Sequence, residues 1–370
     1  MTQPNVALVH DHLNQYGGAQ KTLEAIMELF PDAPIFTGIY RPEKMSEAIN
    51  GRKIIYPKNI FFKKLPKYFS FLMPLVFEGF DLRNYDIIIS DSSCWAKGVL
   101  TKPDQLHVSY IHTPPRFLYG YSVESTKRNA WYFKPFVRLI DVFLRAWDFA
   151  AAQRPNFLLA NSQEVQKRIK KFYRRDSQVI YPPVELAKDP KKKEGKYFLA
   201  IGRLAAYKNF DLLINAFNIL EIPLIIAGTG TEEEKLKSIA NGNIKFEGRV
   251  SEERKKELIS ECSGLINPVG DEDFGIVPVE AMSCGKPVLA HKSGGHLETI
   301  QDGISGMLFS TKDPAELAKE IKRFAKAIED QKFDPKTIST SVQKYSKERF
   351  QEEFKSFILE KWQFLQKQNA

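Results

Sequence analysis

Residues 197–230 read YFLAIGRLAAYKNFDLLINAFNILEIPLIIAGTG. An apolar run, a polar turn, an amphipathic stretch and a second apolar run follow one another. Continuous runs of this kind, in place of alternating ones, belong to strands covered on both faces, as in a parallel sheet. The intervening NFDLLINAFNIL has the length and the apolar spacing of a crossover helix. One strand–helix–strand unit is therefore legible here, and the fold class is α/β.

The same rhythm extends in both directions. Downstream lie EEEKLKSIA (232–240), IKFEGRV (244–250), RKKELISECS (254–263), GLINPV (264–269), a helix expected from Pro278 to Cys284, and PVLAH (287–291). Upstream lie VALVH (6–10), GGAQKTLEAIMELF (17–30), PIFTGIY (34–40), YDIIISDSS (85–93) and LHVSYIHT (106–113). The polar, lysine-rich VELAKDPKKKEGK (184–196) separates the two series and reads as a linker. The chain of 370 residues is too long for one ordinary core. The reading is two doubly wound domains, residues 1–185 and 186–345, with ligands expected at the carboxyl ends of the strands, in a cleft between the domains. Residues 346–370 hold Phe350, Phe354, Ile358, Trp362 and Leu365 at helical spacing, which predicts a terminal helix packed back across a domain surface.

Hydrophobic residues at 43% and charged residues at 27% describe a globular chain, not a disordered or collagen-like one. Cys94, Cys262 and Cys284 are widely spaced, without a CxxC pair, and read as buried thiols. No apolar run reaches the roughly 18 residues of a membrane span, and the start shows no secretory pattern, so a cytoplasmic protein is expected. A net charge of +9 favours an anionic contact: nucleic acid, phospholipid or a phosphorylated substrate.

Several residues are placed to carry chemistry. Gly17 and Gly18 lie at a helix start where a backbone can approach a ligand, or where a tight turn simply needs them. Arg203 and Lys208 flank another helix start, as two cations converging on one phosphate or as ordinary solvated charges. Gly228-x-Gly230 lacks the third glycine of a dinucleotide fingerprint and has glutamates where pyrophosphate would sit, which argues against a dehydrogenase. Asp271–Asp273 resembles an acidic clasp for a divalent cation, but Arg203 and Lys208 can neutralise a diphosphate, so no metal is expected. In DEDFGIVPVEAMSCGKPV (271–288), Pro278 reads as the first turn of a helix, placing Glu280 in that turn and Glu272 on the loop before it. The amides around Gly275, Ile276 and Val277 then form a donor set for a diphosphate. Carboxylates on either side would accept from the hydroxyls of a nucleotide sugar, one from ribose and one from the hexose.

Taken together, EDFGIVPVEAMSCGKPV (272–288), GRLAAYKNFDLLINAF (202–217), GGAQ, ANSQEVQKRI, VIYPPV and SGGHLETIQDGISGMLF closely resemble family 4 retaining glycosyltransferases of the GT-B fold. The likeness runs over nearly the whole chain. YDIIISDSSCWAKGV and HVSYIHTPPRFLYGY are similar to a branch that makes bacterial O-antigen and exopolysaccharide and contains many mannosyltransferases. The resemblance implies an amino-terminal acceptor domain and a carboxy-terminal nucleotide-sugar domain. It places Glu272 on the donor hexose, Glu280 on the ribose, and Arg203 and Lys208 on the leaving phosphate. Gly17 and Gly18 would close over the diphosphate, with Val250, Phe274, Gly275, Ile276 and Val277 completing the donor site. His112 would sit near the reacting sugar, and Arg116 would touch donor or acceptor. The implied reaction is a front-face substitution without cofactor or metal, from GDP-mannose, or second from a UDP-hexose, to a glycan or polyprenyl-linked acceptor. Two departures stand out: VIYPPV replaces an Asn-Gly-Val type turn, and Asp273 replaces a common glycine.

GRKIIYPKNIFFKKLPKYFS (51–70) carries six cations, no acid and five aromatics, an interfacial composition, and KRNAWYFKPFVR (127–138) is a second such patch. Lys58, Phe61, Phe62, Lys63, Lys64 and Lys67 are the expected contacts with the inner face of the cell membrane. The same composition suits a nucleic-acid binder, but acidic residues in the main site oppose nucleic acid. Basic aromatic core and surface residues with no partner would also produce it.

Overall fold

A computed structural model describes residues 4–58, 70–121, 134–187 and 195–369. Phe61, Phe62, Lys63, Lys64, Lys67 and residues 127–133 lie outside these; Lys58 is described and exposed. The chain divides into two compact units. One runs to Pro183 and takes in Lys347–Ala370; the other spans Val184–Ser346.

The first unit is built on a seven-stranded sheet, every pair parallel, in the order β3-β2-β1-β4-β5-β6-β7. Its strands are β1 (Val6–His10), β2 (Ile35–Thr37), β3 (Ile54–Ile55), β4 (Ile87–Ser92), β5 (Leu106–Ile111), β6 (Phe157–Ala160) and β7 (Gln178–Val179). Both faces are buried because successive side chains alternate. Leu8, Ile87, Ile89, Leu106, Val108 and Tyr110 join one core with the helix Gly18–Leu29. Ala7, Val9 and Ile88 face a second core with Met73, Phe77, Trp95 and Leu144.

The second unit has a six-stranded parallel sheet in the order β10-β9-β8-β11-β12-β13. Its strands are β8 (Phe198–Ile201), β9 (Leu224–Ala227), β10 (Ile244–Gly248), β11 (Gly264–Asn267), β12 (Val288–His291) and β13 (Gly306–Phe309). In both sheets the order reverses beside the first strand, at β1/β4 and at β8/β11. Such switch points leave a crevice at the carboxyl ends of the strands.

The terminal helix Lys347–Asn369 belongs to the first unit. Phe350, Phe354, Phe357, Ile358 and Leu365 enter its core, with Trp362 packed against them. Lys347 Nζ meets Glu28 Oε1 at 2.6 Å, and Gln351 Nε2 donates to Ala25 O at 3.1 Å, tying it to the helix Gly18–Leu29. Of the three thiols expected to be buried, Cys262 is, whereas Cys94 and Cys284 are half-buried.

Phe354 is fully buried, against Tyr110 and Phe350. Phe354→Ala is expected to cost about 3–5 kcal/mol in unfolding free energy, read as a lowered denaturation midpoint for the first unit. A change under about 1 kcal/mol would remove the helix from that core.

Candidate functional site

In the first unit the carboxyl ends of β1, β4 and β5 bring a buried polar group together. Asp11 follows β1, and its carboxylate accepts from four successive backbone amides: Ser93 at 2.6 Å, Cys94 at 2.7 Å, Trp95 at 2.8 Å and Ala96 at 2.6 Å. These amides open the turn after β4, where a helix-like start leaves donors without backbone partners. Beside it, Asp91 Oδ2 accepts from His10 Nδ1 at 2.8 Å, and Oδ1 lies 2.5 Å from His112 Nε2. The Gln20 amide donates to His10 Nε2 at 3.0 Å and to His12 O at 3.2 Å, which fixes the His10 tautomer with its proton on Nδ1. Burial alone would raise the Asp91 carboxyl. The charge of His112 and the hydrogen bonds from both imidazoles outweigh it and hold the group at about 2.

His112, singled out in the sequence, is thus anchored by a carboxylate the sequence reading missed. Asp11, Asp91 and His10 lie within the strand-end stretches VALVHDH and IIISDSS, where a charged residue closing an apolar run was the available signal. Gly17 precedes the helix Gly18–Leu29 with an ordinary extended φ of −168°. A Cβ there would meet only Gln20 Oε1, at 3.8 Å. Nothing in the fold itself requires glycine at this position. Arg116 is half-buried, its guanidinium 5.8 Å from the centre of the Tyr121 ring.

The second unit collects the other residues at its own switch point. Arg203 and Lys208 follow β8, Arg203 exposed and Lys208 half-buried; Asp271–Phe274 follow β11. Lys208 Nζ donates to Glu272 Oε2 at 2.8 Å. Burial acts to lower Lys208, but the Glu272 carboxylate outweighs it and the ammonium is held above its usual range. Asn209 adopts a left-handed φ of 55° and donates to Pro268 O at 3.2 Å, joining the two loops. A third loop, Ser293–His296, buttresses them: Gly295 N donates to Glu272 O at 2.8 Å and Ser293 Oγ accepts from Asp271 N at 2.8 Å. Its part in holding Glu272 was not apparent from the sequence.

The helix after the glutamate loop begins at Ile276, not at Pro278. Proline is tolerated inside the first turn because the N–H it lacks would have no intrahelical partner. Gly275 caps the helix at φ 91°, a conformation that favours glycine, and the Ile276 and Val277 amides stand at the amino end. As a correction, Glu280 falls in the second turn and is buried, where its Oε1 accepts from Lys255 Nζ at 2.7 Å. Phe274 is buried edge-on to Tyr345 at 5.1 Å, and Val250 is half-buried ahead of the helix Glu252–Glu261. Gly228 and Gly230 have a packing reason: a Cβ would lie 1.9 Å from Gly202 O or 2.2 Å from Leu204 O.

Two doubly wound parallel-sheet units, each with charged residues gathered at its switch point, make up a GT-B fold. Two family models match: "Glycosyltransferase Family 4" over residues 16–188 and "Glycosyl transferases group 1" over residues 184–339. The chain belongs to glycosyltransferase family 4. It is similar to the alpha-1,3/1,6-mannosyltransferase ALG2 of Kluyveromyces lactis, 28% identical over 278 residues, 60% of this chain and 53% of that one. It is also similar to the O-antigen chain mannosyltransferase C of Escherichia coli, 25% identical over 263 residues, 68% of each. The chain thus spans about half the length of the yeast relative. Among solved structures, Anabaena Alr3699/HepE in complex with UDP and glucose shares the fold at a TM-score of 0.70 and 20% identity, covering 96% of this chain and 99% of that one.

Two outcomes are expected. Asp11→Ala strands four amides and should cost on the order of 3 kcal/mol, read by urea unfolding; an unchanged midpoint would remove Asp11 from this structural role. The Asp91 carboxyl is lowered from its ordinary 3.8. Its contribution is therefore complete above about pH 4 and lost as pH falls toward 2. Asp91→Asn should flatten that acid limb in a pH series of thermal midpoints.

Proposed function

We propose that the protein is a retaining, metal-independent hexosyltransferase. It moves mannose from GDP-mannose to a glycan or polyprenyl-linked acceptor for cell-surface polysaccharide, at an anionic membrane surface. The Lys208–Glu272 pair beside the start of the helix Ile276–Ser283 carries the reading. The mannosyltransferase names of two relatives support the choice of sugar.

In this reading the Ile276 and Val277 amides, Arg203 and Lys208 receive the diphosphate, since all present N–H donors to an anion. Once Lys208 turns to phosphate, Glu272 is released to accept from hexose hydroxyls, while Glu280 accepts from ribose. The bond from the anomeric carbon to the phosphate oxygen breaks as the acceptor oxygen bonds to the same face. The departing oxygen takes the acceptor's proton, and the cations stabilise the charge that develops there. In this reading His112, anchored by Asp91, serves the reacting sugar. No step requires a metal, because the cations supply the neutralising charge.

Glu272→Ala, Arg203→Ala and Lys208→Ala are each expected to lower turnover by about 10²-fold or more, with the fold intact by circular dichroism. Full activity in all three would overturn the site. Among GDP- and UDP-sugars, GDP-mannose should give the largest thermal shift, about 2.7 kcal/mol at a hundredfold excess over Kd. A larger shift with a UDP-hexose would reassign the donor. Activity abolished by EDTA and restored by Mg²⁺ would overturn metal independence.

A further inference from the structure

The helix Lys134–Ala151 is apolar on two sides. Its inner side, with Leu144 buried and Ile140 and Trp147 packed beside it, closes the second core of the first unit. On its outer side Leu139 is 56% exposed, Val142 54%, Phe143 68% and Phe149 38%, with Ala146 and Ala150 exposed between them, and none of the described residues covers this face. At 3.6 residues per turn these six fall within an arc of about 120°. Among the described side chains of this helix, Arg138 is the exposed charged one, and it stands at the edge of that arc. Trp147 and Arg154 both bond Glu78 Oε1, at 2.8 and 2.6 Å, which ties in the short helix Met73–Glu78, whose Leu75 is 65% exposed.

We propose that this outer face docks on an anionic phospholipid surface, the helix lying in the plane of the interface with Leu139, Val142, Phe143 and Phe149 entering the acyl boundary. The inference rests on the membrane placement proposed above and names the surface that makes it. Charge selects the occupant. Residues 184–346 hold one more acid than base, so the net charge of +9 belongs to the rest of the chain, the part that carries this helix. Pairing with a second copy would bring two cationic units together, whereas an anionic bilayer attracts each of them. An exposed apolar stripe edged by a cation, with no exposed acid among the described side chains of the helix, suits a helix that lies at an anionic interface. No helix among the described residues is long and apolar enough to cross a membrane.

The test is co-sedimentation of the full chain with vesicles of phosphatidylglycerol and phosphatidylcholine in equal parts, at low salt. The wild type should bind these at least about tenfold better than pure phosphatidylcholine, and Leu139→Gln with Phe143→Gln should lose about tenfold. Both substitutions are at exposed positions, so the thermal midpoint and the hydrolysis of GDP-mannose in solution should stay as in the wild type. Absent wild-type binding, or a double variant that binds undiminished, overturns the proposal. So does a wild-type dimer by sedimentation equilibrium that the double variant dissolves. Vesicle binding lost in the double variant without any donor hydrolysis by the wild type would support the docking face and count against the transferase reading.

Discussion

Parallel strands buried on both faces impose the constraint on which everything else here depends. Each strand must be followed by a crossover, so each sheet acquires helices on both sides and all its strand ends at one edge. That edge is where chains leave the sheet and where helix starts present unpaired amides. In the first unit Leu8 and Val9 go to opposite cores, and the next two residues, His10 and Asp11, are already at the edge. In the second, Ile201 ends β8 and Arg203 stands two residues beyond it. Apolar alternation and functional polarity are thus two consequences of one geometry.

The two edges solve the problem of buried charge differently. At the first, Asp11 and Asp91 are satisfied within the protein, one by four amides and the other by two imidazoles. Those partners are backbone amides, the buried His10 and the partly exposed His112. At the second, Lys208 and Glu272 satisfy each other while each keeps about 15% of its side chain exposed. The attraction between them offsets the cost of removing both charges from water, and in the proposed reading an incoming phosphate and hydroxyl would take each partner's place. The Lys255–Glu280 pair repeats the arrangement in the second turn of the helix.

Much of the fold was legible because long apolar runs between turns leave few alternatives. The stretch 197–230 gave β8, its helix and β9 in order. Short edge strands such as β3 and β7 carry two residues each and no pattern to read. The helix start at Ile276 was misplaced because proline was read as marking the first position, while the positive φ of Gly275, which sets the true start, has no signature beyond the glycine itself. Glu272 and Lys208 were visible as candidates, but their pairing was not, since 64 residues separate them. Asp11 was overlooked for a similar reason: the amides it binds lie more than 80 residues away, and only sheet topology brings β1 beside β4.

That topology also explains why both units collect charged residues at corresponding edges. A switch point opens because two adjacent strands send their crossovers to opposite faces. The crevice that results exposes a strip of backbone amides, which a carboxylate from the protein or an anion from a ligand can occupy. Asp11 fills that strip in the first unit, converting a binding surface into a structural joint and leaving the adjacent Gly17 turn open. In the second unit the residues after β11 make a loop ending at Gly275, and the Ile276 and Val277 amides stand at a helix end. Of the carboxylates in the preceding loop, Glu272 is paired with Lys208. The two edges thus hold their carboxylates differently: Asp11 is engaged by backbone amides, whereas Glu272 is held by a lysine side chain.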